Sequence, residues 1–246
     1  FQGGFKLGPQ AVSQAIWDTQ GDLKPEKSRS LEAGYRVEAG PLAASLAAYK
    51  VRFDNRLLQY NPCDSRQPVG PSCGNRFYNV GGVDSHGAEL TVVWTPSDHL
   101  RWYNSASLNR STYASDYVQA GVVQRTKGKI QTDTPKKLFA TQIDWTQGAW
   151  FASLRGKYTG ERFYTYTNDQ GFGGFTVWDV SGGYDFGRMA FASDVRLSVN
   201  VTNLGDKRYA SNFDSSAFVP SDPKGTAYVF HASAPRQVFA TLDVRF

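Results

Sequence analysis

The residue types able to do chemistry are few in this chain and poorly spaced for it. Its three histidines, His86, His99 and His231, fall on a strand-like run, at a turn and in a loop, far apart in sequence. No Gly-x-Ser-x-Gly or His-Glu-x-x-His segment marks a nucleophile or a metal-bound water. Gly171-Phe172-Gly173-Gly174 is glycine-rich, but it lies between two strands with no helix to follow, and a phosphate cradle needs the helix N-terminus. Two cysteines, Cys63 and Cys73, stand ten apart in a Pro/Gly/Ser-rich segment. That spacing fits a local disulfide made in an oxidising compartment, worth ~2–3 kcal/mol to the loop it closes. Free thiols or half of a metal site are the other readings, and zinc lacks a further Cys or His nearby to complete four ligands. The residues therefore give no reason to expect an enzyme or a cofactor.

The elements that must carry these residues alternate with a period of two. Val195, Leu197, Val199 and Val201 share one face, and Asp194, Arg196, Ser198, Asn200 and Thr202 the other. Val238, Ala240, Leu242, Val244 and Phe246 repeat the pattern against Gln237, Thr241, Asp243 and Arg245. Successive side chains leave a pleated backbone on opposite faces, so these are strands with one apolar and one wet side. Similar runs occupy 30–38, 42–53, 85–94, 100–111, 137–145, 150–159 and 178–186. Asn104 interrupts the face of Trp102, Ala106 and Leu108 and leaves the frame of that strand open. Asp179, Glu32, Glu89 and Asp194 are expected in wet-face networks with Arg36, Arg155 and Arg196. Long connections at 1–27, 54–84, 112–134, 162–174 and 204–234 alternate with short turns near 39–41, 95–98, 146–148 and 187–191.

Composition narrows the class. Hydrophobic residues are 40% of 246, and no stretch approaches the run of about 20 apolar residues that a spanning helix needs. A membrane barrel is compatible with that figure, because only half of each strand faces lipid. The 13 Tyr and 16 Phe suit aromatic girdles at two bilayer interfaces; a soluble β-sandwich is the alternative for the same content. The net charge of +5 is spread out with no Lys/Arg block, so nucleic acid is not an expected partner.

The segment Val199-Asn200-Val201-Thr202-Asn203-Leu204-Gly205-Asp206-Lys207-Arg208-Tyr209, followed by Ala234-Pro235-Arg236 and a strand ending on Phe246, resembles the C-terminus of TonB-dependent outer-membrane receptors. Leu23-Lys24-Pro25-Glu26-Lys27-Ser28 and Glu32-Ala33-Gly34-Tyr35 resemble a second landmark of that family, the start of a strand midway round the barrel. The resemblance implies an all-β, antiparallel transmembrane barrel of which 1–246 is the C-terminal portion. On that reading the chain supplies about nine strands of roughly ten residues to a barrel of ~22. A signal peptide, a TonB box, a plug domain and the first strands are then expected upstream.

Short turns belong to the periplasmic side and long loops to the outside, so the chain is expected to begin outside and finish in the periplasm. The resemblance further implies a bacterial outer-membrane receptor that captures a scarce ligand, with a ferric siderophore as the default and cobalamin, a saccharide or another chelate open. Its partners are then the TonB complex of the inner membrane, acting through the upstream segment, and outer-membrane lipid. Loop aromatics are the ligand candidates it implies: Trp17, Tyr113, Tyr117, Tyr164, Tyr166, Tyr209 and Tyr228. A self-contained small barrel, acting as a passive pore or a hydrolase, is the competing reading.

Overall fold

The computed structural model describes residues 23–60, 76–79, 81–119, 122–214, 222–225 and 228–246. Nine long strands form one antiparallel sheet in which every strand pairs with its neighbour in this sequence. They are β1 (Lys27–Ala39), β2 (Leu42–Asp54), β3 (Val83–Ser97), β4 (Leu100–Tyr113), β5 (Lys137–Gln147), β6 (Trp150–Thr159), β7 (Phe175–Met189), β8 (Ala192–Thr202) and β9 (Gln237–Arg245). Alternate connections are two-residue turns, closed by the pairs Ala39↔Leu42, Ser97↔Leu100, Gln147↔Trp150 and Met189↔Ala192. Gly40 and Gly148 take positive φ in two of them, the left-handed conformation that tight hairpins require. The other connections are long and carry small hairpins of their own: 57–60 with 76–79, 117–119 with 122–124, 162–163 with 171–172, and 210–214 with 229–232. The expected rhythm of long and short connections is therefore present, and the long ones are partly ordered by local pairing.

Register sorts the side chains onto two faces. Tyr35, Leu46, Leu90, Ala106, Phe139 and Tyr158 form one row across six strands, and Leu154, Val180, Val201 and Val238 belong to another row on the same apolar face. The opposite face carries Glu32, Glu89, Ser107, Gln142, Arg155, Asp179 and Asn200, and it is the lumen side of a barrel wall. Near the two-residue turns, the apolar face bears Trp94, Trp102, Trp145, Trp150, Tyr184 and Phe186, with Trp150 and Tyr184 edge to face at 4.7 Å. Amphipathic rings of this kind settle at a bilayer interface, so the short turns mark one membrane surface and the long loops extend from the other.

Several boundaries differ from the alternation. β1 begins at Lys27 and ends at Ala39, wider than 30–38. β3 runs through Pro96 to Ser97, where the sequence suggests a turn at 95–98; a register shift between Trp94 and Ser97 accommodates the proline, which has no N–H to give the ladder. β7 likewise continues to Met189 through two register shifts around Gly187. Tyr49, Val51 and Phe53 lie on the lumen face, paired with Glu32, Ser30 and Ser28. A Cβ at Gly87 would stand 2.6 Å from the Tyr49 hydroxyl, so the absent side chain is what lets that ring lie flat and donate to Asn109 Oδ1 at 3.0 Å. Asn104 sits on the apolar face after all. Its Oδ1 accepts from Thr141 Oγ1 at 2.8 Å, and Thr141 Oγ1 accepts from the Trp102 indole at 2.8 Å, so these polar atoms satisfy one another on that face.

The lumen network is also wired differently from the expectation. Asp144 accepts from Gln142 and Ser153 and pairs with Arg101 at 3.4 Å. Asp194 pairs with Arg245 at 4.0 Å, and Asp179 accepts the backbone N–H of Asn203 at 2.8 Å. Arg196 lies over the Phe151 ring at 3.8 Å from its centroid.

Candidate functional site

Most of the buried side chains gather at the long-loop end, above the lumen. Val83, Tyr113, Tyr117, Ile130 and Tyr164 are buried there, with the polar Ser111, Thr126, Arg162 and Thr165. Tyr113 closes β4 on its lumen face, in the series of Asn109 and Ser111, so the loops that pack on it fold inward across the mouth. Three connections meet there: 114–136, 160–174 and 203–236.

Two side chains tie them. Asn168, in the left-handed conformation at φ 60°, accepts the N–H of Ile130 at 2.6 Å and donates to its carbonyl at 2.8 Å. This is a strand-like pairing made by one amide group, and it joins the second loop to the first. Arg162 is buried and does the same at the other side: it pairs with Asp133 at 2.9 Å and donates to the carbonyl of Ala210 at 2.5 Å and that of Ser211 at 3.5 Å. Its guanidinium also lies over the rings of Phe175 and Phe213, at 5.8 and 5.7 Å. One planar cation thus holds three loops, donating to two part-buried carbonyls as well as to a carboxylate.

Aromatic rings fill the space between. Tyr113 stacks on Tyr166 at 5.4 Å. Tyr164 is the hub of a second group, with Phe172 at 5.1 Å, Tyr228 at 5.2 Å, Phe230 at 5.2 Å and Phe213 at 6.1 Å. Burial pushes the phenols of Tyr166 and Tyr228 well above the ordinary tyrosine range, with neighbouring Tyr113 adding to both. The phenols of the roof are therefore neutral, and its exposed members are Phe230, 40% exposed, and Val229, 64% exposed.

Of the ligand candidates, the structure brings Tyr113, Tyr117, Tyr164, Tyr166 and Tyr228 to this one end of the sheet. Tyr113, Tyr117 and Tyr164 are each at most 8% exposed, so they build the roof, while the half-buried Tyr228 reaches its edge. Tyr209 is elsewhere: it stacks on Phe175 at 4.0 Å, its carbonyl accepts the Ser233 N–H at 2.9 Å and its N–H donates to the Ser233 hydroxyl at 3.2 Å, closing the base of the last loop. Trp17, Cys63 and Cys73 lie outside the described residues. Sequence reasoning passed over Arg162, Asp133 and Asn168; the density of rings between Phe163 and Phe175 was the available signal. Among the described residues, no group of three or more His, Cys, Asp or Glu is placed to hold a metal ion. Rings, phenols and amides are groups that can grip a preformed ligand.

The family model described as TonB dependent receptor-like, beta-barrel, matches residues 2–204. The chain is 27% identical over 232 residues to the ferrichrome outer membrane transporter/phage receptor of Escherichia coli K12, covering 90% of this chain and 27% of that protein. It is 24% identical over 208 residues to the ferrioxamine B receptor of Salmonella typhimurium SL1344, covering 80% of this chain and 26% of that protein. Among solved structures, the ferric yersiniabactin uptake receptor FyuA from Yersinia pestis matches with a TM-score of 0.66 at 20% identity, over 90% of this chain and 30% of that one. The chain thus spans about 27% of the length of these curated relatives.

Proposed function

Since the chain belongs to the β-barrel family of TonB-dependent receptors, whose members sit in the outer membrane, we propose that it forms part of the wall and the outer roof of an importer for a metal chelate. A ferric siderophore is the ligand class that the relatives favour, and energy comes from the TonB complex. The observation that carries the reading is the roof itself: aromatic side chains from the end of β4 and from two loops meet over the lumen-facing side of a receptor wall. Rigid rings give contact area at small entropic cost, and Phe230 and Tyr228 at the outer edge are the contact residues assigned. Residues 1–246 are read as the C-terminal portion of a larger barrel, with plug and first strands upstream. The role is binding and passage, with no covalent step.

The test is uptake of a panel of radio-iron chelates by cells that make the whole receptor. One chelate class should be accumulated, and accumulation should stop on dissipating the proton-motive force. Replacing both Tyr228 and Phe230 by Ala should lower its uptake at least about thirtyfold with receptor abundance unchanged, as expected for two anchoring rings at ~1 kcal/mol or more each. Uncoupler-insensitive entry of small solutes would instead assign a passive pore.

A further inference from the structure

The outward face of the sheet carries a second feature that ligand import does not use. At the long-loop end of β1 to β5, the apolar face gives way to cations: Lys27, Arg29, Lys50, Arg52, Arg110 and Lys137, with His86 among them. Lys50, His86 and Arg110 are successive pairing partners on β2, β3 and β4, so they stand in one row. Strands lie about 4.8 Å apart, which makes that row about 10 Å wide. Lys137 pairs with Leu108, next on the same face below Arg110, and extends the patch to β5. All four side chains are exposed.

Their height is set by the strands. Counting from the two-residue turns, Lys50 is the ninth residue of β2, Arg110 the eleventh of β4 and Lys137 the eleventh of β5. About 9–11 residues of tilted strand cross the hydrocarbon, so these cations stand where acyl chains end and headgroups begin. Directly below Lys50, His86 and Arg110 lie Ala48, Ala88 and Leu108, a row that ends on Lys137 at β5 and is otherwise a surface for hydrocarbon. Within the described residues of this face, the carboxylates at that height are Asp54 and Asp84, and both are engaged by Arg52, at 3.0 and 3.3 Å. Lys50, Arg110 and Lys137 have no ion pair among the described residues. The sector from β6 to β9 lacks such a patch: its outward residues towards the loops are Tyr158, Thr176, Val201 and Val238. A general requirement for surface charge would not be confined to five of nine strands.

We propose that Lys50, Arg110 and Lys137, with His86 between them, form a site for the phosphate-bearing headgroup of an outer-leaflet glycolipid. Phosphate oxygens supply the charge-assisted acceptors these donors lack, while the acyl chains lie on the apolar rows beneath. The occupant is a lipid and not free phosphate, because the patch is exposed, with no enclosing walls among its four side chains, and only the anchored chains hold a headgroup against it.

The receptor, purified from outer membranes in the form cells make, is incubated in detergent with diphosphorylated lipid A and read by native mass spectrometry. Wild type should retain the lipid. Lys50→Gln, Arg110→Gln and Lys137→Gln combined should lower retention at least tenfold, whereas Lys157→Gln on the lumen face should not change it. Dephosphorylated lipid A should be retained by wild type no better than the intact lipid is by the triple variant, and millimolar inorganic phosphate should not displace the bound lipid. Retention within twofold between wild type and triple variant, or equal retention of the two lipids by wild type, would overturn the site. If the triple variant fails to reach the membrane, the comparison of the two lipids on wild type decides alone.

Discussion

Arg162 shows how one side chain can define a loop assembly. It is buried, yet its Nη1 and Nη2 groups donate to Asp133 and to the carbonyls of Ala210 and Ser211. Arg162→Ala removes the donor from two part-buried carbonyls, at roughly 1 kcal/mol, with little further loss from the ion pair because Asp133 is exposed. Hydrogen exchange across 160–174 and 203–214 should accelerate severalfold while the sheet strands keep their protection. Arg162→Lys should rescue little, since a single ammonium cannot span three acceptors in a plane. Unchanged exchange in either variant would remove Arg162 as the tie. The phenols beside it set the pH limit of the roof. Tyr166 and Tyr228 have folded-state pKa values raised above that of a free tyrosine, so the neutral ring is the form the roof favours. Their contribution is fully present below pH ~10 and is lost as pH rises from there through the raised values. Loop proteolysis should therefore begin above pH ~10, ahead of any loss of sheet, and Tyr228→Phe should delay it; cleavage that starts at the same pH in both proteins would contradict this account.

At the scale of elements, the strands were legible because a membrane wall demands strict alternation, and the sequence meets that demand over nearly every strand. β8 is the clearest case: Val195, Leu197, Val199 and Val201 pair with Val244, Leu242, Ala240 and Val238 on the outward side, as the period of two requires. The misread parts have local causes. Asn104 looks like a break in periodicity because its hydrogen-bond partner Thr141 comes from another strand, and no single-strand pattern carries that information. Pro96 reads as a turn because a proline inside a strand is rare away from edges and bulges. The roof was invisible for a different reason: its hairpins are two to five residues long and are held by Asn168, Arg162 and ring contacts between loops far apart in sequence. The family motif gains a physical meaning at this scale. Asn203, buried at φ 50°, donates to the carbonyls of Lys207 and Ala234 and accepts the N–H of Lys207, while Asp206 accepts the N–H of Arg236. The motif clips the two ends of the last loop together above β8 and β9. The outward assignment of β8 makes a sharp prediction. Val199→Arg puts a charge into the apolar band, costing up to about 2–4 kcal/mol at the midplane, whereas Ser198→Arg keeps its charge on the wet side. Heat-modifiable mobility on gels should be lost or reduced in the first and kept in the second, and equal behaviour of the two would remove the face assignment.

For the whole molecule, the decisive fact is that the described sheet is open. β1 pairs only with β2 and β9 only with β8, and β1 is exposed along its entire length. In hydrocarbon each unpaired backbone group costs several kcal/mol, so two free edges of roughly ten residues exceed any ordinary folding stability of ~5–15 kcal/mol. The lumen face points to the same need, since Arg155 and Lys157 stand on it with no ion pair among the described residues and must be met by water or by a filling domain. Nine strands therefore form a wall that other strands must complete. Residues 1–246 refolded alone into detergent or vesicles should give no monomeric, protease-resistant barrel; β-content should appear only with aggregation or with self-pairing of the edges. Addition of the remaining strands of the same receptor, expressed as a separate fragment, should restore a single heat-modifiable species. A compact, protease-resistant monomer from residues 1–246 by themselves would mean that β1 and β9 can close on each other, and the small-barrel reading would then replace the larger receptor.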